Sequence, residues 1–254
     1  MRAACLVGPG TAGRSDGTWV AGLGGMMTEE VRVSAGPVML EGTLTIPDDA
    51  LGVVLFAHGS GSSRHSPRNR AVAAELQHGG LGTLLVDLLT LDEEAVDLRT
   101  RHLRFDIGLL AERLVGATAW LAEHEGTRDL RVGYFGASTG GGAALVAAAR
   151  APERVGAVVS RGGRPDLAGE ALPEVKAPTL LIVGGFDIPV IAMNEEAYAQ
   201  LTCEKRLEIV PRATHLFEEA GAMERVAGLA QGWFTRHLPA KAEGRGRRES
   251  RRAA

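Results

Sequence analysis

Arg131-Val132-Gly133-Tyr134-Phe135-Gly136-Ala137-Ser138-Thr139-Gly140-Gly141-Gly142-Ala143-Ala144 reads as an apolar run, then Gly-Ala-Ser-Thr-Gly, then a small-residue stretch able to form a helix. The apolar run predicts a strand and the glycines predict a tight turn. A serine so placed matches the Gly-x-Ser-x-Gly pattern, in which a nucleophile sits on a strained strand-to-helix turn. Such a turn forces unfavourable dihedrals on the serine itself. Gly136 and Gly140 would remove the Cβ atoms that collide where strand and helix come close. Free N–H groups at the helix start would face a developing negative charge. With 34 glycines in 254 residues the pattern can arise by chance, so the flanking chain has to support it.

Outward from this stretch, strand and helix patterns alternate. Residues 53–57 form a continuous apolar run ending in His58-Gly59-Ser60-Gly61. Further strands are predicted at 83–86, 155–160, 178–183 and 206–210, and helices at 71–76, about 105–124, 188–201 and 222–236. Residues 31–33 and 38–46 predict an N-terminal hairpin around Gly36-Pro37. The alternation implies an α/β class: a mostly parallel central sheet with helices on both faces. No internal repeat is visible.

The polar candidates fall at the carboxyl ends of these strands, where open α/β sheets place their sites. Ser138 follows one strand, Asp187 another and His215 the last. The order Ser…Asp…His is that of the α/β-hydrolase fold. A serine hydroxyl needs a base to become a nucleophile. His215 would be that base, with Asp187 holding its tautomer and stabilising the imidazolium. Asp187 also suits the N-cap before Ile188-Pro189. Asp166, after the preceding strand, is the rival acid. The turn His58-Gly59-Ser60 would supply half of an oxyanion hole. The N–H of Ser60 is the first choice and that of Gly59 the second, paired with the N–H of Thr139. The His58 side chain reads as structural rather than catalytic.

These elements together resemble the α/β-hydrolase superfamily, and more narrowly its dienelactone-hydrolase-like branch. The resemblance rests on His58-Gly59-Ser60-Gly61, Gly136-Ala137-Ser138-Thr139-Gly140-Gly141, Gly185-Phe186-Asp187 and Ala213-Thr214-His215-Leu216-Phe217, and covers about residues 30–238. The stretch from Phe56 to Asp87, with Arg64-His65-Ser66-Pro67-Arg68-Asn69-Arg70, also resembles hydrolases of this branch, some of which are fused to phosphoribosyltransferases. Dienelactone hydrolases proper use a cysteine nucleophile, and here the position is Ser138. That departure favours general ester hydrolysis. Only about 17 residues separate Ser160 from Pro178, too few for a cap domain.

Composition sets the outer limits. Apolar residues make up 45% and charged residues 23%, a globular profile. The net charge of −3 argues against a nucleic-acid-binding surface. No apolar run is long enough to span a bilayer, and no membrane contact is expected. Two distant cysteines, Cys5 and Cys203, make no metal or disulfide pattern, which points to the cytoplasm. Residues 1–27 are expected to be a disordered extension, with Met26 or Met27 as a candidate start. Residues 28–239 are expected to be the α/β-hydrolase domain, and 240–254 a disordered basic tail. That tail is net +4, leaving −7 elsewhere. A solvated end is the reading, with nucleic-acid or membrane contact as its alternative.

Four arginines, Arg64, Arg68, Arg161 and Arg164, fall in loops expected at the carboxyl edge of the sheet. A guanidinium fork recognises carboxylate or phosphate. Arg161, Arg64 and Arg68 are therefore candidate substrate contacts, with solvation or pairing to Asp166 and Glu170 as the alternative. The sequence supports a serine hydrolase that cleaves a small carboxylic ester or lactone through an acyl-enzyme. It requires no metal or organic cofactor. A thioesterase, a small-amide hydrolase and a non-catalytic small-ligand binder are the alternatives. The oligomeric state stays open, with a homodimer as one option.

Overall fold

The computed structural model describes residues 20–21 and 25–239. The strands are β1 (Val20–Ala21), β2 (Met26–Ala35), β3 (Val38–Pro47), β4 (Val53–Ala57), β5 (Gly82–Val86), β6 (Val132–Ala137), β7 (Val155–Arg161), β8 (Thr179–Gly184) and β9 (Lys205–Val210). The helices are α1 (Pro67–His78), α2 (Leu91–Thr100), α3 (Ile107–Glu123), α4 (Thr139–Arg150), α5 (Ile188–Gln200) and α6 (Ala222–His237). The sheet order is β1-β2-β3-β5-β4-β6-β7-β8-β9. The first strands pair antiparallel, and β5-β4-β6-β7-β8-β9 pair parallel.

Local chemistry explains the elements. Every residue of β4, β5, β6, β7 and β8 is buried, as expected of strands covered by helices on both faces. In β2 and β3 burial alternates, because one face meets solvent. Gly36 closes their turn at φ 68°. Two apolar layers sandwich the sheet. One contains Leu110, Leu114 and Leu121 of α3 and Ala144 and Leu145 of α4. The other joins Val72 and Leu76 of α1 to Val226 and Phe234 of α6. Truncating a fully buried leucine such as Leu55 to alanine would cost roughly 2–5 kcal/mol. Pro67 opens α1, and the Ser66 hydroxyl accepts the Asn69 N–H at 3.4 Å.

The strand order places the site. The connections leaving β4 and β6 run to opposite sides of the sheet, which opens a crevice at their carboxyl ends. The register aligns Ala57 with Gly136 and Ala137 with Arg161, so three neighbouring strands end level. Between β7 and β8 the chain makes only 3-10 turns over Pro165–Glu174, and no cap covers the crevice from there.

Two expectations are corrected. The ordered chain reaches back past residue 28: β2 begins at Met26, and Val20–Ala21 pairs with Thr28 and Met27. Only one residue in the first half of β2, Glu29, is buried, so that end of the strand carries no apolar run. The remainder of 1–27, Cys5 and the tail 240–254 lie outside the described residues. The charged stretch after Asp87 holds a helix, α2, absent from the sequence reading. Its start signal is present: Thr90 and Glu93 form a reciprocal capping box, with bonds of 3.2 and 2.8 Å.

Candidate active site

Ser138 has φ 50° and ψ −122°, a backbone conformation that costs a side-chain-bearing residue ~1–3 kcal/mol. Two bonds to its carbonyl help to hold it there, from the N–H of Gly141 and of Arg164, each 3.0 Å. The flanking glycines are required by close approach. A Cβ on Gly140 would stand 2.1 Å from the Ala57 carbonyl oxygen, and one on Gly136 would stand 2.6 Å from the Gly140 oxygen. Ser138 is the N-cap residue of α4 and makes no capping bond with its side chain. Thr139 is the first helical residue, so its N–H has no acceptor within the helix.

Asp187 and His215 leave the ends of β8 and β9. His215 Nδ1 lies 2.6 Å from Asp187 Oδ2, with the carboxylate mostly buried and the imidazole 39% exposed. An ionised carboxylate only accepts, so Nδ1 carries the proton and Nε2 is left as the basic nitrogen. Asp187 stands at the N-cap position of α5 but makes no capping bond, because its side chain serves His215. The rival acid is engaged elsewhere: Asp166 receives a two-pronged bond from Arg164, at 2.9 and 2.7 Å. The same bond raises the pKa of Arg164. The loop bearing His215 lies against Gly162, where a Cβ would meet the His215 carbonyl oxygen at 3.1 Å. No hydrogen bond joins Ser138 Oγ to His215 among the described residues. Such bonds often tighten only when substrate is bound.

The turn after β4 lies directly on the serine. A Cβ on Gly59 would come within 3.1 Å of Ser138 Cβ. The Ser60 N–H, the expected oxyanion donor, gives its hydrogen to Thr139 Oγ1 at 3.1 Å. The threonine hydroxyl is a participant that the elbow motif, which concerns the backbone N–H alone, does not announce. The cavity beside this turn is lined by His58, Ser60, Leu89, Glu94, Arg104 and Thr139, among others.

The family model for the dienelactone hydrolase family matches residues 40–235. A dienelactone hydrolase from Anabaena variabilis ATCC 29413 is 69% identical in its solved structure, with a TM-score of 0.83 over 84% of this chain and 99% of that one. The chain belongs to the dienelactone hydrolase family. Two Mycobacterium tuberculosis proteins, from strains H37Rv and CDC 1551, are 59% identical over 210 residues and are provisionally named phosphoribosyl transferases. The match takes 83% of this chain but only 46% of theirs, so the chain spans about half their length. A dienelactone hydrolase-like promiscuous phosphotriesterase from metagenomic libraries shares the fold, with a TM-score of 0.70 at 17% identity over 85% of this chain and 100% of that one.

In this member of the dienelactone hydrolase family the four candidate arginines meet different fates. Arg64 is paired with Asp87, and its own backbone N–H donates to the same carboxylate at 2.7 Å. Arg68 reaches Glu218 at 3.4 Å, and Arg164 holds Asp166. Arg161 has no carboxylate partner among the described residues. It is 6% exposed, its Nη2 donates to Asn69 Oδ1 at 3.4 Å, and its guanidinium lies 5.8 Å from the Phe217 ring centre. Its Nε is buried without an acceptor. Burial, with Arg68 nearby, pulls its pKa down to about 10. Asn194, also missed, steadies the same segment by donating to the Gly163 carbonyl at 3.1 Å. No sequence pattern announces it. Among the described residues no helix is long and apolar enough to cross a membrane.

Proposed function

We propose that the protein is a serine hydrolase that cleaves a small carboxylic ester or lactone through an acyl-enzyme. The observation that carries this reading is Ser138 on its strained elbow at the same sheet edge as the Asp187–His215 pair. His215 Nε2 takes the proton of Ser138 Oγ as that oxygen attacks the carbonyl carbon. The tetrahedral oxyanion is received by the N–H groups of Thr139 and Ser60. Collapse expels the alcohol, which takes the proton back from His215. Water, deprotonated by the same nitrogen, then attacks the acyl carbon, and the acid leaves as Ser138 Oγ takes that proton from His215.

The substrate we favour bears an acidic group. Arg161 supports this, as a buried cation without a counter-charge is costly and an anion would relieve it. Arg64 and Arg68 already have carboxylates. Exposed Phe186, Ile188 and Leu216 flank the acid–base pair and suit an apolar portion.

Ser138→Ala should lose about three decades or more of p-nitrophenyl acetate hydrolysis and all labelling by a fluorophosphonate probe, the scale of removing a triad nucleophile. Unchanged hydrolysis in that variant would sink the reading. A hemisuccinate-type ester should be preferred over its neutral methyl analogue by roughly tenfold to a hundredfold in kcat/KM, since charged hydrogen bonds contribute about 1.5–3 kcal/mol. Equal values for the pair would remove the acidic-substrate part alone.

A further inference from the structure

In a trans peptide the carbonyl and the following N–H point in opposite directions, so gripping one aims the other. The Gly59–Ser60 peptide is gripped at both ends. His58 Nδ1 lies 3.0 Å from the Gly59 carbonyl oxygen, which also accepts the Ser62 N–H at 3.1 Å within the turn, and the Ser60 N–H donates to Thr139 Oγ1 at 3.1 Å. The tautomer of His58 follows from its other nitrogen. The Leu88 N–H donates to Nε2 at 3.1 Å, so Nε2 carries no proton and Nδ1–H donates to the Gly59 carbonyl. The imidazole thus ties the turn after β4 to the chain leaving β5. Burial holds its pKa below the ordinary histidine value, although the Gly59 carbonyl and the carboxylates of Asp87 and Glu94 favour the proton. Asp97 and Arg104 line the same cavity. The Leu88 bond needs an unprotonated Nε2 and so fixes the neutral ring with its proton on Nδ1.

We propose that His58 is a positioning residue for the hydrolysis, its Nδ1–H holding the Gly59 carbonyl so that the Ser60 N–H faces the side of Thr139 where the oxyanion forms. Thr139 Oγ1 keeps that N–H occupied in the resting site. When the tetrahedral intermediate forms, the N–H passes from a neutral hydroxyl to a charged oxygen, a stronger acceptor. The donor is aimed before substrate arrives, so no loop needs to rebuild during the reaction. His58 touches no reacting atom and acts only through this peptide. The inference rests on the hydrolase reading above.

The two amide variants separate the two ring nitrogens. The Asn side-chain nitrogen falls near the place of Nδ1 and can still donate to Gly59. The Gln side chain reaches the place of Nε2 and leaves the Gly59 carbonyl to the Ser62 N–H alone. With active sites counted by fluorophosphonate, His58→Gln should lower kcat about tenfold to a hundredfold with KM nearly unchanged. That is a share of the ~10²–10³ that loss of a whole oxyanion donor costs. His58→Asn should recover most of that loss, even if both variants lower the melting temperature. Equal kcat per active site in Asn, Gln and parent would overturn the proposal and leave His58 structural. Imidazole ¹⁵N spectra of the parent give a check that needs no variant to fold: Nδ1 of His58 should be the protonated nitrogen through the neutral range. A proton on Nε2 would overturn the proposal while leaving the hydrolase reading intact. A parent chain that neither labels nor turns over would instead remove the hydrolase reading, and this inference with it.

Discussion

The turn at 58–64 and the loop at 211–217 approach the Ser138 edge from opposite sides and are held by different means. The first has one backbone bond, Ser62 N–H to the Gly59 carbonyl, and is otherwise held by side chains: His58 bridges Gly59 and Leu88, Thr139 takes the Ser60 N–H, and Asp87 anchors Arg64. The second is held largely by its backbone. Arg212 and Phe217 both sit at positive φ, 63° and 55°, though neither is glycine. Its side-chain hydrogen bonds, among the described residues, are the His215–Asp187 bond and the acceptance of the Thr214 N–H by Glu219, at 3.0 Å. That bond keeps the Glu219 carboxyl below its usual range. Under the proposed mechanism the difference is one of chemistry. A base needs one oriented nitrogen and some freedom to exchange partners, whereas an oxyanion donor has to be in place beforehand.

The largest effect should come from the base loop. Asp187→Asn should lower kcat by about three to four decades, the scale on which a histidine with the wrong tautomer fails, while the far-ultraviolet spectrum stays that of the parent. Asp166→Asn should lose little, because that carboxylate serves Arg164. Damage from the Asp166 change and tolerance of the Asp187 change would reverse the assignment and break the contrast between the loops.

The next effect is on stability and belongs to the other side. The pKa of His58 is lowered by burial. Below the ordinary histidine pKa of about 6.5 the unfolded chain therefore binds a proton that the folded chain refuses. Stability is full above that value and is lost as pH falls from it through the folded pKa. His237 is shifted the same way, chiefly by burial, and adds to the slope. The drop in melting temperature between pH 7 and pH 5 should thus be smaller in His58→Asn than in the parent. Identical drops would show that the turn is not locked through a neutral imidazole.

The smallest effect tests the strained loop. Arg212 is exposed, and glycine there would relieve a left-handed conformation costing about 1 kcal/mol. Part of that gain returns as unfolded-state entropy. Arg212→Gly should raise stability by roughly 0.5 kcal/mol, a degree or two in melting temperature, with kcat/KM unchanged. A fall in stability would mean that the loop relies on the Arg212 side chain rather than on its backbone path.

The strand and helix alternation, the elbow at Ser138 and the pairing of Asp187 with His215 were legible from residue types and spacing. They are local: buried parallel strands need continuous apolar runs, a strained turn needs small neighbours, and a histidine paired with a carboxylate needs both at strand ends. Helix α2 was legible too, through Thr90 and Glu93, but its charged composition hid it. What the tertiary structure alone decided is which polar groups find partners. The four arginines were all expected in loops, yet Arg68 lies in α1 and Arg161 ends β7; Arg64, Arg68 and Arg164 met carboxylates while Arg161 was buried against Asn69 and Phe217. His58 likewise acquired its tautomer from the Leu88 N–H, thirty residues away. Hydrogen bonds and ion pairs depend on distances of a few ångströms between segments remote in sequence. Those distances exist only once the sheet has brought the ends of β4, β5, β6 and β7 side by side.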